Sequence, residues 1–159
     1  MDAEDRDIAA KAAQQGWTAI GVDDYDPSFV YSVGLMYSAK HPEIIILGLK
    51  DQNYALLAAV IKLIQQGKSF AAPGRYDDAL EDVPLAVREV HPSQHESFLG
   101  YAMAYCRHHG DIGGLKAVQV FWPDRDGKFP FDPDCDPGVA TEQQLLYRDS
   151  AKYGPAAGK

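Results

Sequence analysis

The sequence has no run of Lys or Arg, and acidic residues outnumber basic residues by 23 to 15 in a chain of 159. The formal net charge of -8 argues against binding to nucleic acid or to an anionic membrane, because both select clustered positive charge. Long apolar runs are also missing, and the segment from 44 to 49 is far too short to cross a bilayer. The first residues are acidic and lack the apolar core of a signal peptide. We therefore expect a cytoplasmic protein.

Cysteine is scarce, and the common catalytic and metal-binding signatures are missing. The two cysteines, Cys106 and Cys135, are far apart in sequence, so we expect free thiols in a reducing compartment. Neither is a good nucleophile, since Cys106 falls on an apolar helix face and Cys135 lies in an acidic loop. There is no CxxC, HExxH, P-loop, GxSxG or GxGxxG motif.

The remaining metal-like patterns are weak. Asp132-x-Asp134-x-Asp136 is similar to the start of a calcium loop, but prolines interrupt it and its twelfth position is Gln143 instead of Glu. His91 precedes a proline and so falls outside the helix that would pair it with a second histidine. No metal site is predicted.

Apolar residues make up 46% of the chain and charged residues 24%, which is typical of a folded globular domain. Periodicity and turn residues predict the order helix, three strands, helix, two strands, helix, strand and loop. We therefore predict one α+β domain over residues 1–152, with a mixed or mainly antiparallel sheet of five to six strands and three to four helices. Residues 153–159 are predicted to form a disordered tail. The predicted segments are helices at 4–15, 51–66, 93–109 and 141–144, and strands at 17–22, 30–35, 43–49, 69–72, 85–90 and 115–122.

The stretch from 29 to 49 is central to this prediction. It contains a strand, a polar corner with His41-Pro42-Glu43, and a second, strongly apolar strand expected to be buried on both faces. Gly34 at the end of the first strand predicts a bulge or a close backbone approach. We expect the corner to face the end of the late strand at Trp122 and Asp124, with any ligand held between them.

The candidate site follows from this pairing. An imidazole and a carboxylate two residues apart can shift each other's pKa and perform acid–base chemistry. The alternative is structural: His41 ends a turn, Glu43 is solvated, and the indole of Trp122 belongs to the core. The predicted ligand-binding cleft consists of polar or amphipathic residues at strand ends, namely Tyr31, Ser32, Tyr37, His41, Glu43, Trp122 and Asp124.

Several separated motifs, in order, resemble a bacterial family known only as domain of unknown function 4262. They are Gly16-Trp17, Tyr31-Ser32-Val33-Gly34-Leu35, His41-Pro42-Glu43-Ile44, Gly48-Leu49, Gly67, Gln119-Val120-Phe121-Trp122-Pro123-Asp124, Gly127 and Phe129-Pro130. The family usually has Thr at the position of Ser32 and often Trp at the position of Phe131. The resemblance covers roughly residues 16 to 131 and implies a small bacterial cytosolic domain, with no catalytic residue to transfer.

Two functional classes remain. The first is a non-enzymatic module that binds a small ligand or a protein partner through the predicted cleft or the aromatic loop at 129–131. The second is a protein of the split-barrel flavin-reductase type, in which a corner formed by Ser38, Lys40 and Asn53 holds the phosphate of FMN while Trp122 or Tyr31 stacks on the ring. A homodimer is the default expectation for a domain of this size.

Overall fold

The structure is a computed structural model that describes residues 2–111 and 113–153. A six-stranded mixed sheet forms its centre, in the spatial order β1-β2-β3-β6-β5-β4. The strands are β1 (Thr18–Val22), β2 (Phe29–Val33), β3 (Glu43–Leu47), β4 (Gly74–Leu80), β5 (Val83–Glu89) and β6 (Ala117–Phe121). β3 and β6 are parallel, and the other neighbouring pairs are antiparallel. The α+β class and the mixed sheet predicted from the sequence are confirmed.

Helices cover both faces of the sheet. The longer ones are α1 (Ala3–Gln15), α3 (Asn53–Gln65) and α5 (Gly100–His108). Short ones are α2 (Leu35–Ser38), α4 (His95–Phe98), α6 (Pro137–Ala140) and α7 (Ser150–Tyr153), and 3-10 turns lie at Lys50–Gln52 and Pro92–Gln94. Of the predicted tail, residues 154–159 lie outside the described residues.

Strand β3 shows why the sheet needs two layers of helices. All five of its residues are buried. Ile45 and Leu47 pack into a core with α1 and α5 on one face, which we call face A. Ile44 and Ile46 pack with the apolar stripe of α3 on the other, face B. An aliphatic run without polar alternation is stable only where both faces are covered.

Helix α1 begins and ends as its sequence predicts. The Asp2 carboxylate accepts a hydrogen bond from the Asp5 backbone N–H at 2.8 Å, which satisfies one of the free donors of the first turn. Gly16 ends the helix with φ of +89°, a conformation that other residues adopt at a cost.

Three predicted elements are wrong in detail. The strand expected at 69–72 is instead β4 at Gly74–Leu80, a polar edge strand whose exposed side chains give no apolar alternation. The helix expected at 93–109 is broken at Leu99, and it is preceded by the 3-10 turn Pro92–Gln94, which His91 caps by accepting from the Ser93 N–H. The helix expected to open at Thr141 ends there, because Asp136 and Pro137 start α6 earlier.

None of the helices in the described part of the chain is long and apolar enough to cross a membrane.

Candidate functional site

The parallel pairing of β3 and β6 decides which predicted site residues meet. Glu43 and Ala117 are register partners at the starts of the two strands. Trp122 follows the end of β6, so it lies beside the carboxyl end of β3, about 16 Å along the sheet from Glu43 and farther still from His41. The expectation that this corner faces Trp122 and Asp124 is therefore wrong. The two form opposite ends of the molecule's central strand pair.

Glu43 is buried at the amino end of β3, with 2% of its surface exposed. Its carboxylate accepts four hydrogen bonds: from the Ser32 hydroxyl at 2.7 Å and from the backbone N–H groups of Gly34, Leu35 and Met36 at 3.1 to 3.2 Å. Burial raises the pKa of Glu43 to about 7, and the four donors act against that shift. The side chain thus fixes the β2–α2 turn onto β3 and leaves no lone pair directed at a ligand.

Ser32 and Gly34 complete this arrangement. The Ser32 hydroxyl donates to Glu43 and accepts from the Ile44 backbone N–H at 2.9 Å. Gly34 has φ of +106°, and a Cβ there would lie 3.0 Å from the Ala12 Cβ and from the Gly16 carbonyl oxygen. The close backbone approach predicted at Gly34 is present.

Both ring nitrogens of His41 also meet the backbone. Its Nε2 accepts from the Phe70 N–H at 2.9 Å, and its Nδ1 lies 2.8 Å from the Pro42 carbonyl oxygen. Since the amide of Phe70 can only donate, the ring is neutral with its proton on Nδ1. Burial lowers the pKa of His41, in agreement with that state. The imidazole ties the start of β3 to the segment before β4.

The two tyrosines of the predicted site lie on face A. The Tyr31 hydroxyl accepts from the Tyr101 N–H at 3.1 Å, where α5 begins, and burial raises its pKa. Tyr37 donates to Asp111 at 3.1 Å, and its ring stacks on His109 with the centroids 3.9 Å apart. Trp122 packs on face B, so the structure does not bring Tyr31, His41 and Trp122 into one pocket.

Trp122 and Asp124 do lie together, in a cleft at the carboxyl ends of β3 and β6. This Trp122 cleft has a volume of about 870 Å³. Ligands of sheets with parallel strands commonly bind outside the carboxyl ends of those strands. Its apolar wall comes from α3, the β4–β5 hairpin and the indole, namely Leu49, Leu56, Leu80, Leu85 and Trp122. The rim is polar and includes Gln52, Arg75, Asp82, Asp124 and Arg125.

The indole is held in place from two sides. Its Nε1–H donates to the Leu47 carbonyl oxygen at 2.8 Å, and the Trp122 backbone exchanges two hydrogen bonds of 3.0 and 2.9 Å with the buried Gln143 side chain. Gly48 makes room for the ring. A Cβ at Gly48 would lie 2.9 Å from Trp122 Cζ2 and 3.0 Å from the Glu142 Cβ. The aromatic wall of the cleft is therefore preorganised.

Asp124 shapes the rim, and its negative charge is stabilised by backbone donors. Its carboxylate accepts from the backbone N–H groups of Asp126, Lys128 and Asp136 at 2.8 to 2.9 Å. The hydrogen bond from Asp136 lowers the pKa of Asp124 most, followed by that from Lys128. The carboxylate thus organises the turn that presents Arg125 to solvent beside the cleft.

The sequence prediction missed most of the cleft. Arg75 lies on β4, which was expected to be a loop, and its guanidinium donates to Asp77 at 2.6 Å and to the Gly127 carbonyl oxygen at 3.1 Å. Arg125 makes no ion pair with the described residues. No motif marks either arginine. The signal that the sequence offers is Asp124-x-Asp126-Gly127, a pattern typical of a turn, which indicates that the chain reverses just after Trp122.

The phosphate corner proposed for FMN is not assembled. Ser38 and Lys40 precede β3 and Asn53 follows it, so the five residues of that strand separate them, a distance of about 16 Å. Among residues 2–111 and 113–153, no group of three or more His, Cys, Asp or Glu side chains is arranged to hold a metal ion.

Comparison with known proteins gives one family. The family described as Domain of unknown function (DUF4262) matches residues 11–136, which include all six strands and both ends of the β3–β6 pair. No curated protein and no solved structure matches the chain.

Proposed function

This chain belongs to the DUF4262 family, whose description names no activity, and we propose that it is a non-enzymatic module that binds a small, flat, anionic molecule in the Trp122 cleft. The observation that carries the proposal is the fixed indole beside an open apolar wall. A volume of about 870 Å³ falls within the range of small-molecule sites, which are mostly apolar with a few oriented polar groups.

The exposed guanidinium of Arg125 gives the rim a cation that can meet an anionic group. Arg125 has no ion-pair partner among the described residues, whereas the Asp124 carboxylate is already satisfied by three backbone donors. Asp82, at the tip of the β4–β5 hairpin, also lines the cleft. A ligand with a planar body would stack on Trp122 while its acidic group meets the guanidinium of Arg125.

The arrangement of titratable groups favours binding over catalysis. His41 and Glu43, the pair expected to perform acid–base chemistry, lie at the other end of β3 and are bonded to the backbone. Burial raises the pKa of the Cys106 thiol, which opposes formation of a thiolate. In the described part of the cleft, no nucleophile is paired with a base.

The test uses 8-anilinonaphthalene-1-sulfonate, a fluorescent probe with a flat apolar body and one sulfonate. We expect saturable binding of one probe per chain and energy transfer to it from tryptophan. The Trp122→Phe variant should weaken probe binding and the Trp17→Phe variant should not, because only the Trp122 ring lines the cleft. Circular dichroism and a thermal midpoint show that both variants are folded.

Charge is tested with a matched pair. Arg125→Glu should weaken probe binding about tenfold or more, whereas Lys62→Glu, the same change on an exposed part of α3 outside the cleft, should leave it unchanged. Equal effects of the two charge variants, or unchanged probe affinity in Trp122→Phe, would refute the proposal. FMN is tested as a competitor. Displacement of the probe by FMN that requires Arg125 would identify a flavin as the occupant and support the second class predicted from the sequence.

A further inference from the structure

The two edges of the sheet differ in how they meet solvent. β4 forms one edge, where Arg75, Asp77 and Asp78 are exposed and the pairing with β5 is irregular between Tyr76 and Leu80. Charged side chains and irregular pairing are the features that prevent a further strand from adding to an edge. Natural sheets without such features at an edge tend to accept another strand.

β1 forms the other edge and has none of these protections. It reads Thr-Ala-Ile-Gly-Val, with no charge and no proline, and it pairs regularly with β2 over all five residues. Its other side pairs with no strand in the described part of the chain. Half of its backbone N–H and C=O groups therefore face away from the sheet.

A groove runs along this free edge, between β1 and α1, with a volume of about 620 Å³. Four carboxylates line it, from Glu4, Asp7, Asp23 and Asp24. The cation among its lining residues, Lys11, already pairs with Asp7 at 3.3 Å. The groove thus combines free strand hydrogen bonds with an excess of negative charge.

We propose that the β1 edge binds an extended basic segment of a partner protein, which adds to the sheet as a seventh strand. Successive side chains of a strand point to opposite faces, so Lys or Arg at every second position would face α1 and meet Glu4 and Asp7. A basic residue near the end of the segment would meet Asp23 and Asp24. The backbone bonds supply affinity and the carboxylates select the sequence.

Charge also decides against a second copy of this chain as the occupant. The β1 segment of a second copy carries no Lys or Arg, and it would bring its own four carboxylates to the same groove. Like charges brought together across an interface oppose association. If the chain forms the expected homodimer, we therefore expect its interface to lie away from the β1 edge.

Gly21 offers a way to close the edge without disturbing the core. It lies in β1, is exposed, and a Cβ placed on it would have no atom within 4 Å. A glycine inside a strand often marks the close approach of another backbone. Gly21→Lys would place a charge in the middle of the edge, and Gly21→Thr is the matched control, since it adds a side chain of good strand propensity without charge.

The experiment uses the full chain and a fluorescein-labelled peptide with the repeating sequence Lys-Val-Lys-Val-Lys-Val-Lys. We expect saturable binding in fluorescence anisotropy, weakened about tenfold by Gly21→Lys and less than twofold by Gly21→Thr. Asp23→Asn/Asp24→Asn should also weaken it. Hydrogen exchange should show new protection of the backbone amides of Thr18–Val22 in the saturated complex.

Two control peptides separate strand addition from simple attraction of opposite charges. A peptide with the valines replaced by proline keeps the charge but cannot pair as a strand, and one with the lysines replaced by glutamate keeps the alternation but reverses the charge. Both should fail to bind. Binding of the proline peptide as tightly as the lysine–valine peptide, or binding without protection of β1, would overturn the proposal. So would dimerisation of the chain alone that protects these amides.

Discussion

The two ends of β3 use polar residues in opposite ways. At the amino end, Glu43 and His41 are buried and every strong polar atom of their side chains meets the backbone. At the carboxyl end, the backbone around Trp122 is equally well fixed, but Arg125 and the indole face an open cleft. A residue type typical of active sites is therefore no guide to function until its hydrogen bonds are known.

The amino end of β3 can hold a buried ionisable side chain because the backbone there supplies hydrogen-bond donors. A carboxylate enters a protein interior only where several donors replace its water, and the start of α2 supplies three backbone N–H groups at one point. The cleft needs no such group. On the proposed function, its specificity would come from a ring in a fixed orientation and from charges that stay hydrated until a ligand arrives.

The largest predicted effect on stability is at the amino end of β3. Glu43→Gln should lower the free energy of unfolding at pH 5.5 by about 3 kcal/mol. With a pKa of about 7, Glu43 is protonated there and still offers lone pairs on both oxygens, whereas the NH₂ of Gln accepts no hydrogen bond and would face backbone N–H donors. Urea denaturation measures this. Glu142→Gln is the matched control, since the half-buried Glu142 accepts a single backbone hydrogen bond, from Leu49 at 3.1 Å, and should cost under about 1 kcal/mol. Equal costs would remove the distinction between the two ends.

The second largest effect is expected at the carboxyl end of β3. Gly48→Ala should destabilise the protein by about 2–3 kcal/mol, because the new methyl group would meet Trp122 Cζ2 at 2.9 Å in a backbone with φ of +83°. Gly67→Ala provides the comparison, since Gly67 has φ of +103° but open space around it, and should cost about 1 kcal/mol. Gly48→Ala should also change the tryptophan emission spectrum, whereas Gly67→Ala should not. A change in both spectra, or in neither, would show that Gly48 does not position the indole.

The third effect is a pH dependence that distinguishes the two buried side chains. The folded-state pKa of Glu43 is raised from 4.5 to about 7, so its stabilising contribution is complete below 4.5 and is lost as the pH rises through 7. The pKa of His41 is lowered, so its contribution is present above 6.5 and is lost as the pH falls below that value.

Urea titrations from pH 5 to 8 measure both contributions. The cost of Glu43→Gln should shrink by about 2 kcal/mol over this range, while the cost of His41→Gln should grow. Each cost is taken as the difference from wild type, because the pKa of His95 is also lowered by burial and contributes to the common slope. Parallel slopes for the two variants would contradict these assignments.

The smallest effect on stability belongs to the rim. Arg125→Ala should change the free energy of unfolding by less than about 0.5 kcal/mol, because the side chain is exposed and forms no ion pair with the described residues. The same variant should reduce binding of the naphthalene sulfonate probe. A loss of stability without a loss of binding would show that Arg125 stabilises the turn and does not contact the ligand.

The sequence predicted the fold well where a single pattern decides the outcome. Ile44, Ile45 and Ile46 require helices on both faces, and the apolar stripe of α3 supplies one of them. β4 was placed wrongly because an edge strand pairs through its backbone and needs little apolar alternation. Its arginine was missed for the same reason.

The site was predicted less well because it depends on strand order. Trp122 and Asp124 line one cleft, as neighbours in sequence readily do. Whether they meet His41 depends on the direction of β6 relative to β3, and the local sequence of Val118–Val120 is compatible with either direction. The parallel pairing of β6 with β3 places Trp122 and Asp124 at the opposite end of the strands from His41.

The position of β6 also has a consequence for the order of assembly. β6 is the last strand among the described residues, yet it lies between β3 and β5 in the middle of the sheet. During synthesis, the β4–β5 hairpin has no neighbour in the sheet until residues 117–121 have left the ribosome. The aliphatic edge of β3 is likewise open until then. Such late, long-range pairing slows folding and exposes strand edges to aggregation. The time between synthesis of β5 and insertion of β6 is therefore the period in which this domain is most prone to aggregate.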